Sequence, residues 1–307
     1  MTPLVTLPME SYQLAKYAEP LVCFVCEFEN NYDAEICRCC GAPMALTHQA
    51  GNYKTAPQMI AVVGPPKSGK TVYLGMLLDL LARRTSGIRA LARGAFSVTL
   101  QQQTVESLAT CQFPEATPSA AEHWNWVHCQ VHLAGRQVQL MNRRSTREIV
   151  FVDSAGDAQQ THLDNEQYQP AVSAMLARSA AALVVVDVTQ VESGGSDAEY
   201  FAVKALSNLA ELPRTKKGRT AWQKRPVAVV FTKADGCEIC CDDPTSYADR
   251  HCSGLAQFCR DRFSKVAFFA TSVARSTTTR YGEDIPLRIE PRGIVEPFEW
   301  LTSRMRR

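Results

Sequence analysis

Five short, almost wholly apolar runs punctuate the chain: Met59–Val63, Glu148–Val152, Ala181–Val186, Pro226–Phe231 and Val266–Val273. Each is bounded by glycine, proline or polar residues, the pattern of a strand buried on both faces of a parallel sheet. Helical periodicity fills several gaps. Leu74, Leu77, Leu78 and Leu81 share one face, a helix capped at Ser196-Asp197 runs to about Leu212, and Ile294 to Met305 reads as a closing amphipathic helix. From Trp126 the pattern alternates, with Val127, Cys129, Val131 and Leu133 facing one way and His128, Gln130 and His132 the other. That is a half-buried strand, and its two histidines are expected on a solvated face. A turn at Ala134-Gly135-Arg136 and a short run Val138–Leu140 follow, whereas Thr85 to Glu122 shows no clean period. Strands alternating with helices predict an α/β fold with a doubly wound, mostly parallel sheet, its site at the strand C-termini.

The first run ends in Gly64-Pro65-Pro66-Lys67-Ser68-Gly69-Lys70-Thr71 and leads into the leucine-faced helix. This is G-x-x-x-x-G-K-[ST] between strand and helix, a P-loop. A phosphate group needs many N–H donors on a small concave surface, and a tight turn at a helix N-terminus supplies them through Gly64, Lys67, Ser68 and Gly69. Lys70 is expected on the β- and γ-phosphates and the Thr71 hydroxyl on Mg²⁺. The second run delivers Asp153-Ser154-Ala155-Gly156-Asp157. Asp153, at a strand tip beside the phosphate loop, is a candidate Mg²⁺ anchor, direct or through water, and the Gly156 N–H a candidate γ-phosphate contact. The fourth run ends in Thr232-Lys233-Ala234-Asp235. In this T-K-x-D the carboxylate can accept two hydrogen bonds from the N1–H and N2–H₂ edge of guanine, which adenine does not offer. The predicted ligand is therefore GTP or GDP. Thr271-Ser272-Val273 is similar to the loop whose backbone contacts the guanine oxygen.

The chain has 307 residues, twelve of them cysteine, and a formal net charge of +2. Its length accommodates one large α/β domain and a small module. No apolar run reaches the length of a membrane span, and the first twenty residues lack a signal-peptide core. A cytoplasmic, reducing location is expected, where clustered cysteines point to metal rather than disulfides. Cys23-x2-Cys26 and Cys37-x2-Cys40 stand ten residues apart. Two such knuckles facing each other supply four thiolates for a closed, structural Zn²⁺ site, with Cys39 a rival to Cys40. Glu10, Glu19, Glu27, Glu29, Asp33 and Glu35 outnumber Lys16 and Arg38 in this region, which argues against a nucleic-acid partner. The expected organisation is a lead-in over 1–20, a zinc ribbon over 21–46, a linker over 47–57 and a P-loop domain over 58–307. A second patch, Cys237, Cys240, Cys241, His251, Cys252 and Cys259, is read as helix cysteines after a turn rather than a second zinc site. The basic stretch Pro213–Arg219 is read as a solvated loop.

With Asn30 in place, the cysteine spacing resembles the RanBP2-type zinc finger, although the tryptophan usual before the first cysteine is absent. The resemblance implies docking of a protein or of single-stranded RNA; the acidic surroundings favour protein, with Phe28 a candidate contact. The order GPPKSGKT, a loop with Thr117, DSAG, TKAD and ATSV resembles the small GTPases of the translation-factor-related P-loop class over residues 58–307. More narrowly, TVYLGMLLDLL and the N-terminal ribbon look like bacterial double-GTPase proteins. The resemblance implies that Lys70 binds phosphates, Thr71 and Asp153 hold Mg²⁺, and Thr117 closes on Mg²⁺ when the γ-phosphate is present. It further implies that Gly156 senses that phosphate, Lys233 and Asp235 hold the base, and Ser272 and Val273 line it. Thr104 and Thr110 are rivals to Thr117.

Two departures bear on rate. Asp157 stands where Ras-like proteins place a water-orienting glutamine, with Gln159 and Gln160 as substitutes, and Pro66 replaces a loop glycine where an inserted arginine finger would pass. The expected function is a slow GTP-hydrolysing switch that docks a protein partner through its ribbon and switch regions. The alternatives are a non-hydrolysing GTP-binding scaffold and, from another class, a P-loop ATPase acting on nucleic acid.

Overall fold

The computed structural model describes residues 19–51, 56–83, 88–133, 145–164, 169–212, 222–280 and 283–305. Most of the expected lead-in, the turn at 134–136 with the run 138–140, and the basic loop 213–219 lie outside the described residues. The ribbon comes first. β1 (Leu21–Val22) pairs antiparallel with β2 (Glu29–Asn30), and α1 (Met44–Gly51) follows the second knuckle. This helix takes in Thr47–Gly51, read from the sequence as linker. Its buried residues Met44, Leu46 and Thr47 anchor it, and Thr47 Oγ1 accepts from the Phe24 N–H at 3.0 Å.

The main body follows as β3 (Gln58–Val63), α2 (Lys70–Ala82), β4 (Ile88–Ala92), α3 (Phe96–Ala109), β5 (Asn125–Leu133) and β6 (Ser145–Asp153). Next come α4 (Gly156–Asp164), α5 (Pro170–Arg178), β7 (Ala181–Asp187), α6 (Val188–Glu192) and α7 (Asp197–Glu211). The chain ends with β8 (Val227–Thr232), α8 (Glu238–Asp242), α9 (Pro244–His251), α10 (Ser253–Arg262), β9 (Val266–Ala270), β10 (Ser272–Arg280), β11 (Glu283–Arg292) and α11 (Glu296–Arg304). One seven-stranded sheet runs β4-β5-β6-β3-β7-β8-β9. From β6 to β9 every pairing is parallel; β5 and β4 extend the sheet antiparallel.

The period of two along each strand divides the core into two layers. Ile60, Val62, Ile149, Phe151, Leu183 and Val230 face α2, α3 and α11, through Leu74, Leu77, Leu100, Phe298 and Leu301. Met59, Ala61, Val63, Val150, Val184 and Val229 face the other way, toward α5, α7, α9 and α10. The ribbon belongs to this second layer, because Cys23, Val25, Cys40 and Met44 share its core with Trp124 and Trp126. The Arg178 guanidinium of α5 lies 4.2 Å over the Phe24 ring.

Two regions differ from expectation. The aperiodic stretch 85–122 holds an edge strand and a helix, and α3 packs tightly on α2: a Cβ on Gly75 would lie 2.1 Å from Thr104 Oγ1. The last apolar run does not continue through Val273. It breaks at Thr271, and β10 and β11 form a separate antiparallel hairpin. Pro286 within β11 demotes that stretch as a strand by sequence alone, yet a two-stranded ribbon tolerates it because each strand has a free edge. Among the described residues no helix is long and apolar enough to cross a membrane.

Candidate functional site

At the tip of β3 the chain curls through Gly64–Gly69 into α2. Lys67 and Gly69 both take positive φ, 59° and 86°, the backbone form that gathers successive N–H groups into an anion-binding concavity. Gly64 is needed for space, since a Cβ there would lie 2.8 Å from Ser68 Oγ and 3.0 Å from Val185 Cβ. Ser68 Oγ donates to the Pro65 carbonyl at 2.8 Å. Lys70 is buried, and its Nζ donates to the Gly64 and Pro65 carbonyls at 2.8 Å each. Burial pulls its pKa down to about 8, against the opposing pull of Asp153 and Asp157.

Oxygens of three side chains from three separate segments meet beside Lys70. Thr71 Oγ1 donates to Asp153 Oδ1 at 3.2 Å, Thr117 Oγ1 donates to Asp153 Oδ2 at 2.9 Å, and the two hydroxyls lie 3.2 Å apart. A carboxylate with two hydroxyls is a hard, all-oxygen donor set that suits Mg²⁺. Asp153 is fully buried at the end of β6, in register with Asn125 of β5. Burial raises its carboxyl pKa, opposed first by the Thr117 hydrogen bond and then by Lys70. The rival threonines lie elsewhere: Thr104 is buried against Gly75, and the Thr110 hydroxyl donates to carbonyls of its own helix.

Gly156 packs backbone to backbone on the phosphate loop, where an added Cβ would lie 2.4 Å from Pro66 N. Asp157 is exposed beside it. Gln159 corrects an expectation. It is buried, its Oε1 accepts from the Gly64 N–H at 2.9 Å, and its Nε2 donates to the Val62 carbonyl at 3.0 Å and to Ser154 Oγ at 2.5 Å. Both polar atoms of that buried amide are engaged, by β3, by the first residue of the loop and by Ser154, so in this structure Gln159 supports the loop. Gln160 is exposed.

The TKAD turn is tied to the P-loop by Thr232, whose hydroxyl donates to the Ser68 carbonyl at 2.7 Å. Lys233 takes φ 57° and ψ 33°, and its Nζ lies 2.7 Å from Asp187 Oδ2 at the tip of β7. The other Asp187 oxygen accepts from the N–H and hydroxyl of Thr189 at 2.9 and 2.7 Å. Asp235 sits exposed on a single 3-10 turn, Ala234–Gly236. Partial burial raises its carboxyl pKa, opposed by a backbone hydrogen bond and by Lys233. Thr271 donates its N–H to the Phe231 carbonyl at 2.7 Å and accepts from the Ala234 N–H at 3.1 Å. That pair of bonds brings Ser272, buried, and Val273, half-buried, alongside the TKAD turn. Asp187 and Asn125 carry no motif. Asp187 did leave a signal, an acid closing an apolar strand as Asp153 does.

The Sγ atoms of Cys23, Cys26, Cys37 and Cys40 all lie within 4.8 Å of one another. Cys23 and Cys40 are 3.7 Å apart and Cys26 and Cys37 3.5 Å, against about 3.8 Å between thiolates around tetrahedral zinc with bonds of about 2.3 Å. The Val25 N–H and Asn30 Nδ2 each donate to a ligand sulfur at 3.4 Å, so outer-shell partners are present too. The Cys40 hydrogen bond brings Cys23 down to about 5 and drives Cys40 up, while burial raises Cys26. A divalent cation held by these four residues would stabilise all of them as thiolates. Cys39 lies outside the group. Among the described residues no second such group forms: Cys240, Cys252 and Cys259 are buried, Cys241 donates to the Ala234 carbonyl at 3.1 Å, and His251 stacks on Tyr247.

His128 is a further correction. It is fully buried, with Nδ1 at 2.7 Å from Gln49 Oε1 and Nε2 at 3.0 Å from Glu148 Oε2. At His128 the face of β5 expected to meet solvent is met by Gln49 of α1, a contact distant in sequence, whereas Gln130 and His132 on the same face are half-buried.

The family model for Double-GTPase 2 matches residues 58–282. No curated protein matches the chain in sequence. Among solved structures, the chain is similar to Methanosarcina barkeri Roco2 RocCORdC bound to GDP, at 16% identity and a TM-score of 0.33. That match covers 81% of this chain and 48% of the other, so this chain spans about half of that protein's length.

Proposed function

This chain belongs to the Double-GTPase 2 family, and on that premise we propose that it is a guanine-nucleotide switch that hydrolyses GTP slowly and docks a protein partner through its ribbon. One observation carries the reading. The P-loop, Asp153 and the TKAD turn leave three parallel strand tips, β3, β6 and β8, and are cross-linked by Thr71–Asp153 and Thr232–Ser68 hydrogen bonds. Lys70 would exchange its two carbonyl partners for β- and γ-phosphate oxygens, a stronger charge-assisted pairing. Thr71, Thr117 and Asp153 would hold Mg²⁺, which when bound neutralises charge on the β- and γ-oxygens. Asp235 would accept the two guanine donors, with Ser272 and Val273 lining the base. The same reading divides the chain into a ribbon over 21–46, with Zn²⁺ on its four cysteines, and a nucleotide-binding domain over 58–307. The pairing of cysteines in two C-x2-C knuckles favours a reducing, cytoplasmic location.

Slow turnover follows from Asp157 and Gln159. In hydrolysis water attacks the γ-phosphorus as the bond to the bridging oxygen breaks, releasing GDP and phosphate. A carboxylate at 157 repels the developing charge on the γ-oxygens, and Gln159 is held by the loop. These same residues favour a second reading, a GTP-binding scaffold without hydrolysis. Calorimetry with GTP and ATP, both with Mg²⁺, tests the binding claim; equal affinity for the two would overturn it. Single-turnover phosphate release separates switch from scaffold, since release no faster than in buffer leaves only the scaffold.

A further inference from the structure

The ribbon and the threonine at the candidate Mg²⁺ site are joined by one short segment. After Thr117 the chain folds back, with Trp124 Nε1 donating to the Pro118 carbonyl at 3.2 Å and a single 3-10 turn, Ala121–His123, between them. That turn rests on the second cysteine knuckle. Gly41, at φ +69°, meets it directly: an added Cβ would lie 2.6 Å from the Ala121 carbonyl carbon and 2.8 Å from the Glu122 nitrogen. No side chain fits between the two backbones. Gly41 follows Cys40 and donates its N–H to the Cys37 carbonyl at 2.9 Å, so the supporting surface is built from two of the four candidate zinc ligands. Trp124 is buried in the core that holds Cys23, Cys37 and Cys40. At the other end of the segment, Thr117 Oγ1 bonds Asp153 at 2.9 Å.

We propose that the ribbon is the positioning element for Thr117, so that metal in the four-cysteine site and a γ-phosphate-bearing nucleotide in the P-loop stabilise the same arrangement of residues 117–124. The proposal rests on the nucleotide reading above and adds its regulation. Metal bound by the four cysteines would add its binding free energy to the folding of the knuckle. With the knuckle loosened, the turn at Ala121 loses its backing, and more conformational entropy must be lost to bring Thr117 to Asp153. Linkage makes the effect reciprocal: a nucleotide that recruits Thr117 must tighten the hold on the metal by the same factor. GDP, with no γ-phosphate to recruit Thr117, should do so far less.

The test uses the full-length, zinc-loaded protein with Mg²⁺. Zinc release to a chromogenic chelator is timed under saturating non-hydrolysable GTP analogue and under GDP, with occupancy followed by displacement of a fluorescent nucleotide. The expected result is release slower by about fivefold or more with the analogue than with GDP. Trp124→Phe, which keeps all four cysteines but removes the Pro118 bond, should shrink that ratio, and Thr117→Ala should bring it to one. Equal release rates in the parent protein with both nucleotides bound would overturn this proposal and leave the functional reading standing. An undiminished ratio in Thr117→Ala would overturn the route through that residue. Failure to bind either nucleotide would overturn the functional reading and this one with it.

Discussion

At the phosphate end, Lys70 and Asp153 are buried and already bonded, Lys70 to the loop carbonyls of Gly64 and Pro65 and Asp153 to the hydroxyls of Thr71 and Thr117. At the base end, Asp235 is exposed on a single turn, and the neighbouring Lys233 is tied by one ion pair to Asp187. The first region is part of the core that holds the strand tips together; the second is a rim carried on Thr232 and Thr271. A substitution at the phosphate end therefore mixes binding with stability, whereas one at Asp235 reports on ligand choice almost alone.

The largest expected effect is at Lys70. Lys70→Ala removes charge-assisted bonds to phosphate, which are worth about 3–4 kcal/mol together, and should weaken GTP by roughly 10²–10³-fold in calorimetry. A loss below tenfold would mean that the lysine does not reach the phosphates. Asp235→Ala should weaken GTP by about 100-fold while leaving ATP unchanged and the urea midpoint unmoved. A parallel loss of ATP binding would show that the two ends are not separable as described.

Proton linkage distinguishes the ends further. In the free protein burial pulls the Lys70 pKa down to about 8 from its ordinary 10.5. A bound triphosphate favours the ammonium and raises that pKa, so GTP affinity should be full below pH 8 and fall about tenfold per pH unit above it. Stability of the free protein runs the opposite way. Between 8 and 10.5 the unfolded chain keeps a proton that the folded chain has lost, so stability rises with pH across that window. Asp235→Ala should keep the same pH slope for GTP, read by titration at pH 7, 8 and 9; a flattened slope would assign the proton to the base end. The smallest effect expected is at Gln159. Gln159→Ala leaves the Gly64 N–H buried without its partner, costing about 1–3 kcal/mol in urea unfolding, and the remaining folded protein should retain its preference for GTP over ATP.

Local chemistry made much of this molecule readable. The strand tips at Gly64, Asp153 and Thr232 and the two cysteine knuckles are short motifs whose spacing states their geometry, and each apolar run is a strand because both faces are buried. What could not be read are contacts between distant segments. Val266–Val273 looks like one strand because hydrophobicity does not register that Thr271 is drawn to Phe231. His128 looks solvated because alternation cannot tell a position open to water from one met by Gln49 of α1. Gln159 looks available for water because two of its three partners, at residues 62 and 64, lie far outside any local window.

Residue order therefore sets which chemistry the chain carries: a P-loop, an acid at a strand tip, a T-K-x-D turn and four paired cysteines. How these act on one another is a matter of packing, which brings Thr117 rather than Thr104 or Thr110 to Asp153 and sets Gly41 of the ribbon against Ala121. The reason is physical. A motif's geometry is fixed by the few dihedrals it spans, but the packing of one segment on another depends on the shapes of both and on everything that holds them in register.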